Sequence, residues 1–433
     1  MMTPPLDTEI RLLAARRLVV PEREDLHRRF RDHEQRSLFW LGVECVLILL
    51  GLGWWLSSER LLPDWQWALL FGFGFLGLFD FVLEQWASRR KLLEVVRPES
   101  KLGVHTRDSL LAAVARVKER LGLDRYPVKV YLAKEKEVNA FAMRMELLPG
   151  WRLFNSVQLN LSILHLLDEK ELESVIGHEL GHVFPYSPIS GRCMLIHGLF
   201  AGVLSLVIAQ FLQSYDWYLG APLLALMVVR RFSQSSWVSQ IRTIEFLCDD
   251  YGARAAGLLP AMTTELKLGM EREARNELLL RVLEAKLKHS RVPISEFIAS
   301  YEESLPFGGV ESEQAKKQLE AGIQRRLQEE STSSLKGFYQ FIFKSDDADE
   351  DSLRESIEVI KKVRQVAKVP FSILDAVKEP GRWMEPCIKA IEGHPDRVLM
   401  HLEDEVDDRA STHPNVSRRL LYLWKNRDAI ASA

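Results

Sequence analysis

The chain has 433 residues, a net charge of −3 and 47% hydrophobic residues. That length supplies core for two or three domains, and the near-neutral, slightly acidic balance excludes nucleic acid as an expected partner. Four cysteines, Cys45, Cys193, Cys248 and Cys387, are scattered without a C-x-x-C pair. This pattern excludes a disulfide scaffold and fits a reducing compartment.

Residues 1–37 form a charged arm in which Arg11, Arg16, Arg17, Arg23, Arg28, Arg29, Arg31 and Arg36 alternate with acids, a composition that reads as an exposed helix and not as a signal peptide. A membrane hairpin is expected over 38–86. Leu38 to Leu56 is apolar apart from Glu44, and Trp65 to Val82 is apolar apart from Asp80. Trp40, Trp54, Trp55, Trp65, Trp67 and Trp86 stand near the ends, where an aromatic belt belongs. The basic residues lie on the outer flanks, with Arg89, Arg90 and Lys91 after the second run, so both ends are expected in the cytosol. Glu44 and Asp80 fall at similar depth and are functional candidates, with an interfacial or cavity-facing position as the plainer alternative.

The segment 87–192 mixes a helix from Thr106 to Leu121 with strands at Val128–Leu132, Val138–Ala142 and Val157–Leu161. It ends in a helix predicted by a capping box, Asp168 with Glu171, by the apolar stripe Leu172, Val175, Ile176 and Leu180, and by Pro185 as its stop. That helix carries His178-Glu179-Leu180-Gly181-His182. Histidines at i and i+4 leave one face together and can share a zinc ion, with Glu179 placed to polarise a water at the metal. The ordinary alternative is a pair of half-buried helix histidines.

A second membrane hairpin is expected over 193–231, from Cys193–Leu212 and the shorter run Trp217–Val229. It contains His197, which reads as a packed or hydrogen-bonded histidine. The next helix, over 232–257, places Glu245 and Asp249 at i and i+4, with Asp250 on another face and Gly257 as C-cap. Residues 258–405 are a charged helical insertion whose partner the sequence does not name. The acidic run 346–351 reads as a solvated loop, because it lacks the spacing and central glycine of an EF-hand. A C-terminal segment, 406–433, contains His413-Pro414 and Arg418-Arg419.

A catalytic zinc takes three protein ligands. The H-E-x-x-H-x-x-G-x-x-H class would place a glycine at 185 and a histidine at 188, where this chain has Pro185 and Pro188. A carboxylate from a following helix remains, and Glu245 is the best candidate because Asp249 one turn on can orient a ligating histidine. The competing reading pairs Glu245 and Asp249 with Arg242 or Arg254.

These motifs together resemble the membrane-embedded zinc metallopeptidases that include HtpX and the CAAX prenyl proteases. Asn139-Ala140-Phe141-Ala142 looks like the family's edge-strand motif, Leu166 to Glu173 leads into H-E-L-G-H as it does there, and Glu245 to Asp249 matches E-x-x-x-D. His413-Pro414 with Arg419 matches the late H-P-x-x-x-x-R motif. The resemblance covers roughly 38–257 and 411–425. It leaves out the arm and most of 258–405, and Cys248 departs from the small residue usual before the aspartate. It implies an α+β, mostly helical fold, a zincin-like metalloprotease core with about four membrane-embedded helices and a helical C-terminal insertion. It implies one Zn²⁺ per chain on His178, His182 and Glu245, with Glu179 as general base and Asp249 behind a histidine. It further implies Asn139 and Ala140 on the strand that pairs with extended polypeptide, His413 as oxyanion stabiliser and Arg419 beside it. The expected activity is endoproteolysis of membrane or misfolded proteins at the cytosolic face of the cell membrane, with the lipid bilayer as surroundings. Prenyl-peptide processing, or an idle scaffold keeping the fold, is the alternative.

Overall fold

The computed structural model describes residues 20–58, 68, 71–72, 90–133, 139–212, 224–225, 237–269, 373–393, 414 and 416–432. They fall in two compact units. The larger draws on Pro21–Thr264, Arg409–Pro414 and Lys425–Ala433, and the smaller on Met1–Val20, Glu265–Asp408 and Asn415–Trp424.

In the larger unit, helix α1 runs unbroken over Arg23–Ser57, across the junction expected between charged arm and first span. It carries two surfaces in succession. Its charged first half buries Leu26 and Phe30, and its apolar second half leaves Phe39, Trp40, Leu49, Leu50 and Leu56 exposed. A sustained exposed apolar face on a helix this long needs a nonaqueous neighbour. Among the described residues α1 is the one helix long and apolar enough to cross a membrane. The third apolar run forms helix α4, Met194–Leu212, with Met194–Gln210 as a shorter apolar helix. The expected second and fourth runs lie almost wholly outside the described residues.

Helices α1 and α4 share a core of Leu41, Ile48, Cys193, Ile196 and Val203. Inside that contact His197 Nδ1 meets Glu44 Oε2 at 2.7 Å, so the acid singled out in the first apolar run has the histidine of the third as its partner. Each group removes the cost of leaving the other's polar atoms unsatisfied among aliphatic side chains.

The sheet has strand order β1-β4-β6-β5, with β1 Arg90–Leu92, β4 Lys129–Ala133, β5 Ala140–Glu146 and β6 Arg152–Asn160; β2 Lys101–Leu102 and β3 His105–Thr106 form a separate small pair. Strand β6 runs parallel to β4 and antiparallel to β5. This leaves β5 at the edge. Strand β5 runs further than the expected Val138–Ala142: it continues to Glu146, and Gly150 takes a φ of 90° in the turn before β6, a conformation that suits glycine. Helix α2, Arg107–Arg120, starts at a Thr106–Ser109 capping box.

Two helices carry the chemistry, α3 over Glu169–Val183 and α5 over Trp237–Ala256. The predicted capping box of α3 is present: Glu171 N donates to Asp168 Oδ1 at 2.9 Å and Asp168 N to Glu171 Oε2 at 2.8 Å. Helix α5 lies unusually close to α3 because small residues face each other. A Cβ on Gly177 would sit 2.6 Å from Ala255 Cβ, and one on Gly252 2.7 Å from Ser174 O. A Cβ on Gly181 would meet Cys248 Sγ at 3.0 Å, so the bare glycine is what accommodates the larger Cys248. Gly177→Ala should therefore force the helices apart, destabilising the fold by about 1–3 kcal/mol and loosening the site below. Thermal unfolding and zinc titration of the variant check this; an unchanged midpoint and affinity would refute the close-packing account.

Glu173, fully buried on α3, ties three elements together. It accepts from Arg116 at 2.7 Å and Arg120 at 2.7 Å, both on α2, and from Lys170 at 2.8 Å, while Arg120 also donates to the Ala255 carbonyl on α5. Burial pushes its pKa up, but the hydrogen bonds from Lys170, Arg116 and Arg120 win and hold the carboxyl below its usual range.

In the smaller unit, α6 Pro380–Gly393 buries Met384, Cys387, Ile388 and Ile391 on one stripe. Helix α7, Val416–Lys425, buries Leu420, Leu421 and Tyr422.

Candidate metal centre

His178 and His182 stand one turn apart on α3, and Glu245 reaches them from α5. His178 Nε2 lies 3.1 Å from His182 Nε2 and 3.6 Å from Glu245 Oε2, and His182 Nε2 lies 3.3 Å from Glu245 Oε1. Four-coordinate zinc with bonds of about 2.0–2.1 Å sets neighbouring donor atoms about 3.3 Å apart. The triangle has that edge length. Among the described residues this is the one group of three or more histidine, cysteine or acidic side chains whose donor atoms converge so closely. The residues present therefore fit the ion, and they are the three that the sequence singled out.

Behind the triangle, His178 Nδ1 meets Asp249 Oδ1 at 2.9 Å. The contact leaves Nε2 as the nitrogen aimed at the other two donors and fixes the ring's orientation. Asp249→Ala should lower zinc affinity by about 10–100-fold without abolishing binding, the usual scale for losing such a support. Competition against a chromophoric chelator reads it directly, and an unchanged affinity would remove Asp249 from the site. Glu179 is buried on α3 next to His178.

Without metal, burial lowers the His178 pKa, but hydrogen bonds and charge from Asp249 and Glu245 outweigh it and raise the value to about 10. A raised imidazole pKa means that the contacts with the charged ring stabilise the metal-free fold fully below about pH 6.5 and are lost as pH rises through about 10. A cation entering at neutral pH must displace that proton. Zinc uptake should thus release a proton, and apparent affinity should climb by up to about tenfold per pH unit between about pH 7 and pH 9. Calorimetry in two buffers of different ionisation enthalpy measures the proton; buffer-independent heat would contradict the assignment.

Asn139, Ala140 and Arg419 are the other predicted site residues among those described. Ala140 is buried at the start of edge strand β5, and its N–H donates to Asn139 Oδ1 at 2.9 Å, while the Asn139 carbonyl accepts from Asn160 N at 3.2 Å. The asparagine side chain is thus turned onto its own strand. Arg419 is buried on α7 in the smaller unit, 2.7 Å from Glu265. His413 lies outside the described residues, as does Asp80.

Sequence reasoning missed Arg144. From β5 it donates to the carbonyls of Val183 at 3.0 Å and Phe184 at 3.3 Å and pairs with Glu146. It caps the C-terminal end of α3 and ties that helix to the edge strand. Its only local signal was a lone cation between Met143 and Met145.

The sequence profile of peptidase family M48 matches residues 105–268, which contain the whole triangle. "Protease HtpX" of Stenotrophomonas maltophilia (strain K279a) is 36% identical over 118 residues, 27% of this chain and 37% of that protein. "Protease HtpX homolog" of Kineococcus radiotolerans is 29% identical over 313 residues, 64% of this chain and 98% of that protein. "Protease HtpX homolog" of Bacillus pumilus is 30% identical over 112 residues, a quarter of this chain and 36% of that protein. The chain thus spans little more than a third of the length of the first Stenotrophomonas relative. No solved structure matches it significantly. The H-E-x-x-H helix and the glutamate converging on it from α5 thus both lie in the stretch that peptidase family M48 matches, and the relatives similar to that stretch are named as HtpX proteases.

Proposed function

We propose that the protein is an integral-membrane zinc endopeptidase that cleaves extended segments of membrane or misfolded proteins at the cytosolic face. The convergence of His178, His182 and Glu245 at ligand spacing, with Glu179 beside them, carries this reading. The exposed apolar half of α1 supports the membrane setting.

These three residues would hold one zinc ion, which supplies Lewis acidity to the scissile carbonyl and acidity to a bound water. Glu179 takes the proton from the attacking water and passes it to the leaving amine. Asp249 holds His178 in its tautomer. The open edge of β5 offers main-chain groups to an extended peptide, a mode that demands little of its sequence and suits a quality-control enzyme. His413 is the proposed donor to the developing oxyanion.

The direct test is casein cleavage by detergent-purified protein, abolished by a chelator and restored by zinc. Metal-bound protein that cleaves neither casein nor a membrane substrate would favour the scaffold alternative, and selective cleavage of a prenylated peptide would favour the CAAX reading. For topology, reporter fusions at Lys101 and at the carboxyl terminus should both read as cytosolic, because basic residues flank the outer ends of the apolar runs. An extracytoplasmic signal at either place would overturn the orientation.

A further inference from the structure

The first half of α1 lies well before residue 105, where the family match begins, yet it reaches the helix that carries Glu245. Arg23 Nε contacts Asp250 Oδ2 at 2.6 Å, across 227 positions. Asp250 is completely buried, its side chain 0% exposed, and Arg23 is its ion-pair partner among the described residues. The contact is part of a docked surface. Leu26 and Phe30 are buried, Tyr186 lies between α1 and α5 with its ring 5.9 Å from His27, 5.7 Å from Phe30 and 6.0 Å from Tyr251, and Glu34 accepts from Ile189 N at 2.9 Å.

Asp249 and Asp250 are neighbours on α5, so their side chains leave the helix about 100° apart. Asp249 turns to His178 on α3, and Asp250 turns to Arg23 on α1. A buried carboxylate without its cation is strongly unfavourable. Were Arg23 removed, α5 would gain by rolling until Asp250 met water. The same roll would draw Asp249 and Glu245 away from the histidines, because all three acids are on one rigid helix.

We propose that Arg23, from the charged arm ahead of the membrane span, is a positioning residue for the metal site, acting by holding Asp250 buried so that α5 presents Glu245 and Asp249 to the histidines. This rests on the metal-site reading above. It gives the arm a task that the matched domain alone cannot perform, and makes metal affinity depend on the Arg23–Asp250 contact.

The test is zinc affinity of the detergent-purified full chain, measured by chelator competition, with thermal unfolding of the metal-free protein recorded alongside. Arg23→Ala should lose about 10–100-fold in affinity, the scale of a lost support behind a metal ligand. Arg23→Ala combined with Asp250→Asn should recover most of it, because the uncompensated charge is gone. Leu26→Ala, which weakens docking but leaves the ion pair, should lower the unfolding midpoint with a much smaller change in affinity. Arg23→Gln replaces Arg23→Ala if the latter does not fold. Parent-like affinity in the single Arg23 variant, or no recovery in the double variant, overturns the proposal. Glu245→Ala separates the two claims: if it loses zinc while the Arg23 variant does not, this inference fails and the metal site stands. If the parent binds no zinc, both fail.

Discussion

Replacing Glu179 by glutamine should leave zinc binding intact and cut peptide-bond hydrolysis by about 10²–10⁴, the usual contribution of a positioned general base. The expectation follows from the division of labour on α3. His178 and His182 point their Nε2 atoms at Glu245, whereas Glu179 is not one of the three converging donors. Glutamine keeps the size and a hydrogen-bonding carbonyl but cannot accept the proton of the attacking water. Zinc content measured by mass spectrometry should match the parent while casein cleavage falls. Parent-like cleavage by the variant would remove Glu179 from the mechanism, and a loss of metal would mean that its carboxylate serves the ion.

Glu245→Ala should act the other way, on the metal first. Structural zinc sites bind with about 10–16 kcal/mol, so losing one ligand of four is worth roughly 2.5–4 kcal/mol, an affinity loss of about 10²–10³-fold. Glu245 is also the only converging donor supplied by α5, so its loss unties the triangle from the second helix. Activity should fall with occupancy and be partly restored by excess zinc, unlike that of Glu179→Gln. Full occupancy in Glu245→Ala would mean that Asp249 or another acid is the third ligand.

Local signals made the metal helix legible. Asp168, Glu171 and Pro185 mark the ends of α3, and the i, i+4 histidines must share a face once the segment is helical. Glu245 was legible for a related reason, since Asp249 one turn later gave the pair the spacing of a ligand with its support. Contacts whose partners share no sequence neighbourhood were not legible. Asp250 was placed on a face away from Asp249, but nothing near it named Arg23, and nothing near Glu44 named His197, although both Glu44 and His197 stand in apolar runs. Such pairs are fixed by how helices pack, and helix packing here depends on small residues such as Gly177 and Gly252, whose role is visible only when the two helices are brought together. The far end of β5 was not legible because Met143 to Glu146 mixes charge with apolar residues on an edge strand, where one side need not be buried. The dipeptide Pro149-Gly150 was a turn signal that marks the tip.

The central claim is that His178, His182 and Glu245 hold one zinc ion at a proteolytic site. Metal analysis of purified parent, Glu179→Gln and Glu245→Ala proteins, each assayed on casein, tests it most directly. The account predicts about one zinc per chain with cleavage in the parent, about one without cleavage in Glu179→Gln, and neither in Glu245→Ala. A metal-free parent that still cleaves casein in the presence of a chelator would contradict it.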